Sequence, residues 1–264
     1  MIGDRPTALL GLARDVAAEA CEVLIEAVRR GGHATDSKSS ATDLVTDVDR
    51  QVEALIIDRL LAARPEDGVL GEEGGGRPSR SGVRWVIDPI DGTTNFVYRI
   101  PAFAVSIAAE VQGTTVAGVV AIPGLDECFE ATLGGGARCN GDDIAVSGAT
   151  SLETALIATG FSYQAGTRRQ QGRIVAELLP TIRDIRRMGA ASVDLCAVAC
   201  GRVDGYFESG LNAWDYGAGA LIATEAGATV SDLWGGPPSP SFVVAASPAL
   251  ARPLRERLVA CGAF

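Results

Sequence analysis

The spacing of apolar residues predicts two helices at the start of the chain. Residues 6–30 carry apolar side chains at helical intervals, with a proline suited to the first turn and two glycines just past the end. A second helix is predicted over residues 46–65, where Asp49 follows Thr46 by three residues as an acidic capping partner. The small, polar stretch 31–42 between the two helices predicts a mobile loop.

The middle of the chain has the pattern of short strands separated by glycine-rich turns. A two-residue strand at 69–70 is followed by a glycine-rich excursion that leads back to a strand at 84–87. Three alternating segments then predict an antiparallel meander of strands, at residues 104–111, 115–122 and 128–133.

From about residue 147 strands alternate with helices. The predicted strands lie at residues 155–159, 185–188, 203–207, 229–231 and 242–245, and the predicted helices at 168–179, 191–200, 214–225 and from 248 onwards. The pattern as a whole predicts an α+β fold: a helix pair, a mainly antiparallel sheet, then a mixed lobe. No linker-like composition divides the chain, so we expect one domain over 1–264, with an N-terminal lobe of about 1–146 and a C-terminal lobe of about 147–264.

The chain is acidic, which limits its partners. The formal net charge is −10 and the pI about 4.7, so the overall field repels nucleic acid and anionic membranes. No basic region followed by an apolar run opens the chain, and no segment has the apolar length of a membrane span. We therefore expect a cytoplasmic protein without nucleic-acid or membrane partners, in which local cations attract any phosphate substrate.

Cysteine and histidine usage excludes several kinds of chemistry. The six cysteines form no Cys-x-x-Cys pair and are expected to be reduced thiols. His33 is the only histidine, which excludes Ser-His-Asp triads and most zinc sites. Cys196 and Arg202 have the Cys-x5-Arg spacing of cysteine phosphatases, but the apolar helical pattern around them predicts a core helix instead.

The most chemically informative stretch is residues 85–96. The strand at 84–87 is expected to stop where the carboxylates begin, so that Asp88 and Asp91 flank one tight turn beside Pro89. The backbone N–H groups of Gly92 and its two successors follow, and bare N–H groups at a turn bind anions. Two carboxylates beside an anion site repel the anion unless cations lie between them, which indicates a carboxylate–Mg²⁺–phosphate arrangement.

The motif D-P-I-D-G-T-T-N-F at residues 88–96 resembles the metal-binding signature of the inositol monophosphatase family, Mg²⁺-dependent and lithium-sensitive phosphatases. Two more stretches agree in order and separation: Gly71-Glu72-Glu73, and W-D-Y-G-A-G from Trp214. The likeness extends from about residue 38 to residue 231. It implies the layered αβαβα sandwich of the inositol monophosphatase/fructose-bisphosphatase type, with the site between the lobes, and a homodimer.

The resemblance implies two to three Mg²⁺ ions per site. One ion would be held by Glu72, Asp88 and the carbonyl of Ile90, a second by Asp88, Asp91 and Asp215, and a weaker third by Glu72 and water. Neighbouring strand residues face opposite ways, so only one of the two consecutive glutamates can join the site, and the resemblance selects Glu72. Carboxylates about 4 Å apart repel by roughly 4 kcal/mol at an effective dielectric of 20, so the cluster favours hard cations with oxygen ligands.

The catalytic roles also come from the resemblance. Thr93, oriented by Asp49, would act with Glu72 to align and deprotonate a metal-bound water, while the N–H groups of Gly92 and Thr93 hold the phosphate. Lys38 is the only lysine in the chain and precedes the acidic cluster. We expect it to place a point charge near the phosphate or the metal-bound water.

The resemblance further implies a small phosphorylated polyol or sugar as substrate, contacted by Asp91, the backbone of Ala191, Glu208 and Asp215. Ala190 and Asn212 depart from residues found in many relatives, which weakens the case for strict inositol specificity. Inositol-1-phosphate is the first expectation. Fructose 1,6-bisphosphate, histidinol phosphate or another small phosphomonoester is the alternative within the same chemistry. The alternative of another class is a protein-binding regulator that contacts the transcription machinery.

Overall fold

The computed structural model describes residues 5–31, 35–37 and 44–264. Both helices predicted at the start of the chain are confirmed. The α-helices of the described residues are α1 (Pro6–Arg30), α2 (Asp47–Ala63), α3 (Thr93–Tyr98), α4 (Ala165–Leu178), α5 (Ala191–Ala199), α6 (Ala213–Glu225) and α7 (Pro248–Ala260), with short 3₁₀ turns at Leu152–Thr154 and Leu179–Thr181. No helix in this part of the chain combines the length and apolarity needed to cross a membrane.

The described strands form three sheets. They are β1 (Thr35–Ser37), β2 (Leu44–Thr46), β3 (Gly68–Gly71), β4 (Gly76–Arg77), β5 (Val83–Asp91), β6 (Ala104–Val111), β7 (Thr114–Ile122), β8 (Glu127–Thr132), β9 (Ala137–Cys139), β10 (Asp142–Asp143), β11 (Leu156–Thr159), β12 (Asp184–Arg186), β13 (Gly205–Glu208), β14 (Thr229–Ser231) and β15 (Val243–Ala246). Strands β1 and β2 pair with each other. The large sheet has the order β10-β9-β8-β7-β6-β5-β3-β4 and is antiparallel except between β3 and β5. The small sheet has the order β12-β11-β13-β15-β14, with β11 parallel to both its neighbours.

The elements stack as five layers, which confirms the predicted αβαβα sandwich. Along β5, Trp85 and Ile87 pack in the core shared with α1 and α2, whereas Val86 faces the opposite core, shared with α5 and α6. Helices α5 and α6 thus lie between the sheets, and α4 and α7 cover the outer face of the small sheet. The central strands β5, β6 and β7 are buried on both faces over most of their length, whereas β8 shows the alternating burial of a strand with one exposed face.

Three local predictions are confirmed. Helix α2 begins with a capping box, in which the Thr46 hydroxyl accepts the Asp49 N–H and Asp49 Oδ2 accepts the Thr46 N–H at 2.8 Å. Cys196 lies in the buried helix α5 and is core rather than a thiolate nucleophile. All six cysteines are free thiols, as expected.

The prediction for the central motif was wrong in its geometry. Strand β5 does not stop before the carboxylates but continues through Asp88 to Asp91. The register with β6 shifts between these two residues. Pro89 lies in that interval and has no N–H to donate to a ladder, so the chain bulges there instead of turning. Asp88 and Asp91 therefore share one strand end rather than flanking a tight turn.

Smaller differences lie in glycine-rich segments. Part of the predicted loop 31–42 is strand β1, and the glycine excursion contains β4, which pairs with β3 at the sheet edge. Helix α3 and strands β9 and β10 were not predicted, because segments of two to six residues carry too little periodicity. His33 and Lys38 lie outside the described residues.

Candidate active site

The ends of two parallel strands bring the first carboxylates together. Strand β3 pairs with β5 so that Gly71 lies opposite Ile87. The next residue, Glu72, donates its N–H to the Ile87 carbonyl at 3.2 Å. This bond places Glu72 beside Asp88, the residue that follows Ile87. Because parallel strands end at the same sheet edge, residues 16 apart in the sequence become neighbours.

Asp91 ends β5 at the same edge, Asp215 comes from the first turn of α6, and each is anchored by donors. Asp91 Oδ2 accepts the N–H of Ser192 at 2.7 Å and its hydroxyl at 2.5 Å. Asp215, in the first turn of α6, accepts the Asn212 N–H on Oδ2 at 2.5 Å. One oxygen of each carboxylate is therefore held in place by donors of the chain.

The four carboxylates line one pocket of about 390 Å³ between the two sheets. Of the residues selected from the sequence, the pocket brings together Glu72, Asp88, Ile90, Asp91, Gly92, Thr93, Ala191, Glu208 and Asp215. Asp49 lies behind the pocket wall, buried beneath Thr93. Lys38 belongs to the part of the chain that the structure does not describe. The next glutamate, Glu73, does not line the pocket, as expected, but the predicted reason was wrong: β3 ends at Gly71, and both glutamates lie in the turn after it rather than on alternating strand positions.

Burial and mutual repulsion strain the charged state of this cluster. Burial raises the pKa of Asp88 well above its ordinary value, and the charges of Glu72, Asp91 and Asp215 raise it further. Burial raises the pKa of Asp91 to about 6, although the hydrogen bonds from Ser192 act in the opposite direction. The pKa of Asp215 is raised by burial first and by the charge of Asp91 second. Binding of a cation in the site is therefore favourable, because it offsets the repulsion between the carboxylates.

The donor set fits a hard divalent cation. Among the residues that the structure describes, the lining offers carboxylate oxygens and the Ile90 carbonyl and no histidine or thiolate, and such ligands suit Mg²⁺ better than Zn²⁺. Across the described residues, no three acidic, histidine or cysteine side chains already surround a common point at which an ion would bind. Hydrogen bonds within the site, such as the Ile90 N–H to Asp88 Oδ1 at 3.0 Å, hold the carboxylates instead.

Thr93 occupies the first turn of α3, directly beside this cluster. Its Oγ1 lies 3.1 Å from both Asp49 Oδ1 and the Ile90 carbonyl oxygen, and it can donate its single proton to either acceptor. Both alternatives leave the oxygen lone pairs free to accept a hydrogen bond from a water. Asp49 itself is completely buried and is fixed by the Thr46 N–H and hydroxyl through its other oxygen.

Glu208 lines the same pocket from the end of β13. Its Oε2 accepts a hydrogen bond from the Tyr206 hydroxyl at 2.7 Å. Burial nevertheless raises the pKa of Glu208 to about 7. A carboxyl group in this state can both accept and donate hydrogen bonds near neutral pH, which suits contact with substrate hydroxyl groups.

Sequence reasoning missed several residues of the site. Ser192 orients Asp91 across 101 positions of sequence, and no local pattern singles it out. Asp194 also lines the pocket with both carboxylate oxygens buried and without a hydrogen-bond partner, and an acidic residue inside an apolar helix could have drawn attention to it. Arg187 and Tyr163 line the pocket from loops. Loops lack the periodic pattern from which the direction of a side chain can be predicted.

Comparisons with known proteins agree with this geometry. The model of the inositol monophosphatase family matches residues 6–261. Inositol-1-monophosphatase SuhB of Mycobacterium tuberculosis is 44% identical over 277 aligned residues, covering 97% of this chain and 94% of that protein. Nus factor SuhB of Escherichia coli is 45% identical over 202 residues, which is 76% of each chain. The solved structure of M. tuberculosis SuhB matches with a TM-score of 0.84 at 41% identity and covers 99% of both chains. The chain therefore belongs to the inositol monophosphatase family, whose members are phosphatases that generally depend on metal ions.

Proposed function

We propose that this protein hydrolyses a small phosphomonoester with the help of Mg²⁺, and that inositol-1-phosphate is the first substrate to consider. The observation that supports this most strongly is the convergence of Glu72, Asp88, Asp91 and Asp215 in one pocket. Three separate segments supply them, and an excess of buried negative charge remains there for cations to neutralise.

The residues that would hold the ions are those that the family resemblance implies: Glu72, Asp88, Asp91, Asp215 and the carbonyl of Ile90. Two to three Mg²⁺ ions would stabilise negative charge on the phosphate and the leaving oxygen, and would make a water more acidic. Lithium inhibition follows from the same resemblance and is part of this proposal.

The remaining work falls to side chains and backbone of the chain itself. The Thr93 hydroxyl, with its proton directed to Asp49 or Ile90, accepts a hydrogen bond from the attacking water, and Glu72 takes the proton of that water. The N–H groups of Gly92 and Thr93 hold the phosphate oxygens. The new bond joins the water oxygen to phosphorus, and the bond to the substrate oxygen breaks in line with it.

Substrate recognition is proposed for the wall around Glu208. The pocket volume suits a sugar- or inositol-sized ligand, and Ala191 and Glu208 both line the pocket. The departures at Ala190 and Asn212 keep fructose 1,6-bisphosphate, histidinol phosphate and other small phosphomonoesters as alternatives. A homodimer and a cytoplasmic location remain expectations drawn from the resemblance and from composition.

The test is phosphate release in excess Mg²⁺, with and without lithium. The substrates compared are inositol-1-phosphate, fructose 1,6-bisphosphate, histidinol phosphate and 3′-phosphoadenosine 5′-phosphate. The proposal expects inositol-1-phosphate to have the highest kcat/KM and lithium to inhibit. A higher value for another phosphomonoester would keep the chemistry and overturn the assignment of the substrate.

A second candidate function is supported by one relative. The E. coli protein that is 45% identical over 202 residues carries the name Nus factor. A role of this chain as a protein-binding regulator of the transcription machinery would be independent of turnover. If the protein binds Mg²⁺ and hydrolyses none of the four substrates, this second function becomes the leading one.

A further inference from the structure

Glu53 is a buried acidic residue on α2 that does not line the pocket. Only 4% of its surface is exposed, and a buried charge requires partners. Its Oε2 accepts the N–H of Glu73 at 2.8 Å, and its Oε1 accepts the N–H of Gly75 at 2.8 Å. Both oxygens of one carboxylate thus hold the turn at residues 71–75, which also carries Glu72.

The turn fits closely around that carboxylate. A Cβ atom on Gly71 would lie 2.4 Å from Glu53 Oε2, and one on Gly75 would lie 2.3 Å from Ile57 Cδ1. The Gly71 N–H also donates to the Gly75 carbonyl at 2.6 Å and closes the turn. A side chain at either position would have to push aside the Glu53 carboxylate or the Ile57 side chain, so the two glycines allow the turn to close around that carboxylate.

Glu72 is therefore held from two sides. Its own N–H is bonded to the Ile87 carbonyl of β5, immediately before Asp88. The N–H group of the residue after it, Glu73, is bonded to Glu53. Movement of the turn away from Glu53 would shift Glu72 relative to Asp88 while leaving the sheet intact.

Asp49 lies one helical turn before Glu53 on the same helix. Residues four apart project from the same face of an α-helix. Asp49 accepts the hydroxyl proton of Thr93, and Glu53 holds the turn of Glu72. One face of α2 thus supports both Thr93 and Glu72, the two residues that contact the attacking water in the proposed mechanism.

We propose that Glu53 is a positioning residue, which sets the place of the Glu72 carboxylate in the pocket through the turn at 71–75. The role of Glu72 itself rests on the proposed function. Residues that orient metal ligands from behind typically change metal affinity or activity by about 10–100-fold when they are replaced.

Glu53→Gln is the informative variant, because it keeps the size of the side chain and one acceptor while turning an NH₂ group towards an N–H donor. The measurements are Mg²⁺ binding by titration calorimetry without substrate, and kcat and KM with the best substrate. We expect the Kd for Mg²⁺ to rise by about tenfold or more and kcat to fall by about 10–100-fold, with KM changed far less.

The chain offers a matched control in Glu225. Its Oε1 and Oε2 accept the N–H groups of Gly134 and Gly136 at 2.8 and 2.9 Å, in a turn that does not line the pocket. Glu225→Gln removes the same kind of contact and should lower thermal stability without changing Mg²⁺ affinity or kcat. If Glu53→Gln behaves like this control, Glu53 is merely structural and the proposal is overturned.

Two further outcomes are informative. Should Glu53→Gln fail to fold, Gly75→Ala displaces the same turn, and it must weaken Mg²⁺ binding in the same direction for the proposal to stand. If the wild type binds Mg²⁺ but hydrolyses no phosphomonoester, the proposed function fails while the binding measurement still decides the role of Glu53. A wild type that binds no Mg²⁺ would overturn both.

Discussion

Two hollows in this protein are lined by acidic residues, and they differ in what neutralises the charge. The α1–α2 groove has a volume of about 520 Å³, and its lining includes the acidic residues Glu19, Glu22, Glu26 and Asp47. Among them, Glu19 pairs with Arg59 at 2.7 Å and Glu26 with Arg30 at 2.9 Å, in exposed salt bridges. The charges of Glu19 and Glu26 are therefore exposed to solvent, and each is balanced by a neighbouring arginine.

The acidic residues of the active-site pocket differ from those of the groove in both exposure and ion pairing. Asp88 is 1% and Asp91 8% exposed, compared with 46% for the side chain of Glu19. Asp88, Asp91 and Asp215 form no salt bridge with any residue that the structure describes. Burial of Asp88 and Asp91 without an ion pair to a described residue is what distinguishes a candidate cation site from the solvated acids of the groove.

The largest expected difference concerns turnover. Asp88→Asn removes a carboxylate at the centre of the pocket, and loss of several kcal/mol of charge stabilisation lowers kcat by about 10²–10⁴-fold. The variant should fold normally, because it relieves repulsion between buried charges. Glu22→Gln in the α1–α2 groove is the control and should leave kcat unchanged. An active Asp88→Asn enzyme would contradict the metal assignment.

The effect of Mg²⁺ on thermal stability should differ between variants of the pocket and variants of the groove. At a free concentration of one hundred times Kd, a bound ion stabilises the folded state by about 2.7 kcal/mol. We expect the Tm of the wild type to rise with Mg²⁺ and to fall again with chelator. Glu22→Gln should keep this response and Asp88→Asn should lose it. Equal responses of both variants would mean that the ion binds elsewhere.

The pH dependence of stability sharpens the comparison at the pocket wall. The pKa of Glu208 is about 7 when folded and about 4.3 in an unfolded chain, so between these values only the folded state keeps the proton. Its contribution to stability is complete below about pH 4 and is lost as the pH rises to 7. Glu208→Gln, which can still accept the Tyr206 hydroxyl, should therefore be more stable than the wild type by about 3 kcal/mol at pH 8 but by only about 1 kcal/mol at pH 5.

Chemical denaturation at the two pH values, with chelator present, measures this difference. The same difference at pH 5 and pH 8 would show that burial does not raise the pKa of Glu208 in the folded protein.

The smallest effect is expected in the α1–α2 groove. Glu19→Gln breaks an exposed salt bridge with Arg59 and should cost about 0.2–1 kcal/mol of unfolding free energy. High salt should reduce that loss, because exposed charges are screened. A loss that exceeds the effect of Glu208→Gln would indicate that the groove acids are not simply solvated.

Much of the fold follows from periodicity along the chain. The helical spacing at the start predicts α1 and α2, and β-strand alternation predicts the meander of β6, β7 and β8. These predictions are possible because each element buries one or both faces, and the buried positions are apolar. The spacing of apolar residues in the sequence therefore shows the period of the element. The organisation as a single domain over 1–264 with two lobes remains a prediction.

The site is predicted from sequence as far as neighbours in the chain define it. Asp88 and Asp91 belong to one motif, whereas the choice of Glu72 over Glu73 came from the family resemblance, and the structure places both glutamates in the turn after β3. Asp215 entered only through the family resemblance, because no local pattern connects α6 to β5. The roles of these residues remain proposals that the variants above test.

The tertiary structure alone decided what holds the carboxylates in place. Ser192 reaches Asp91, Glu53 reaches the turn at 71–75, and the bulge around Pro89 puts both aspartates on one strand end. The amino-acid sequence determined which side chains are buried and which chemistry they carry. It could not determine these contacts, because periodicity specifies the face that an element buries and not the distant residue that it meets there.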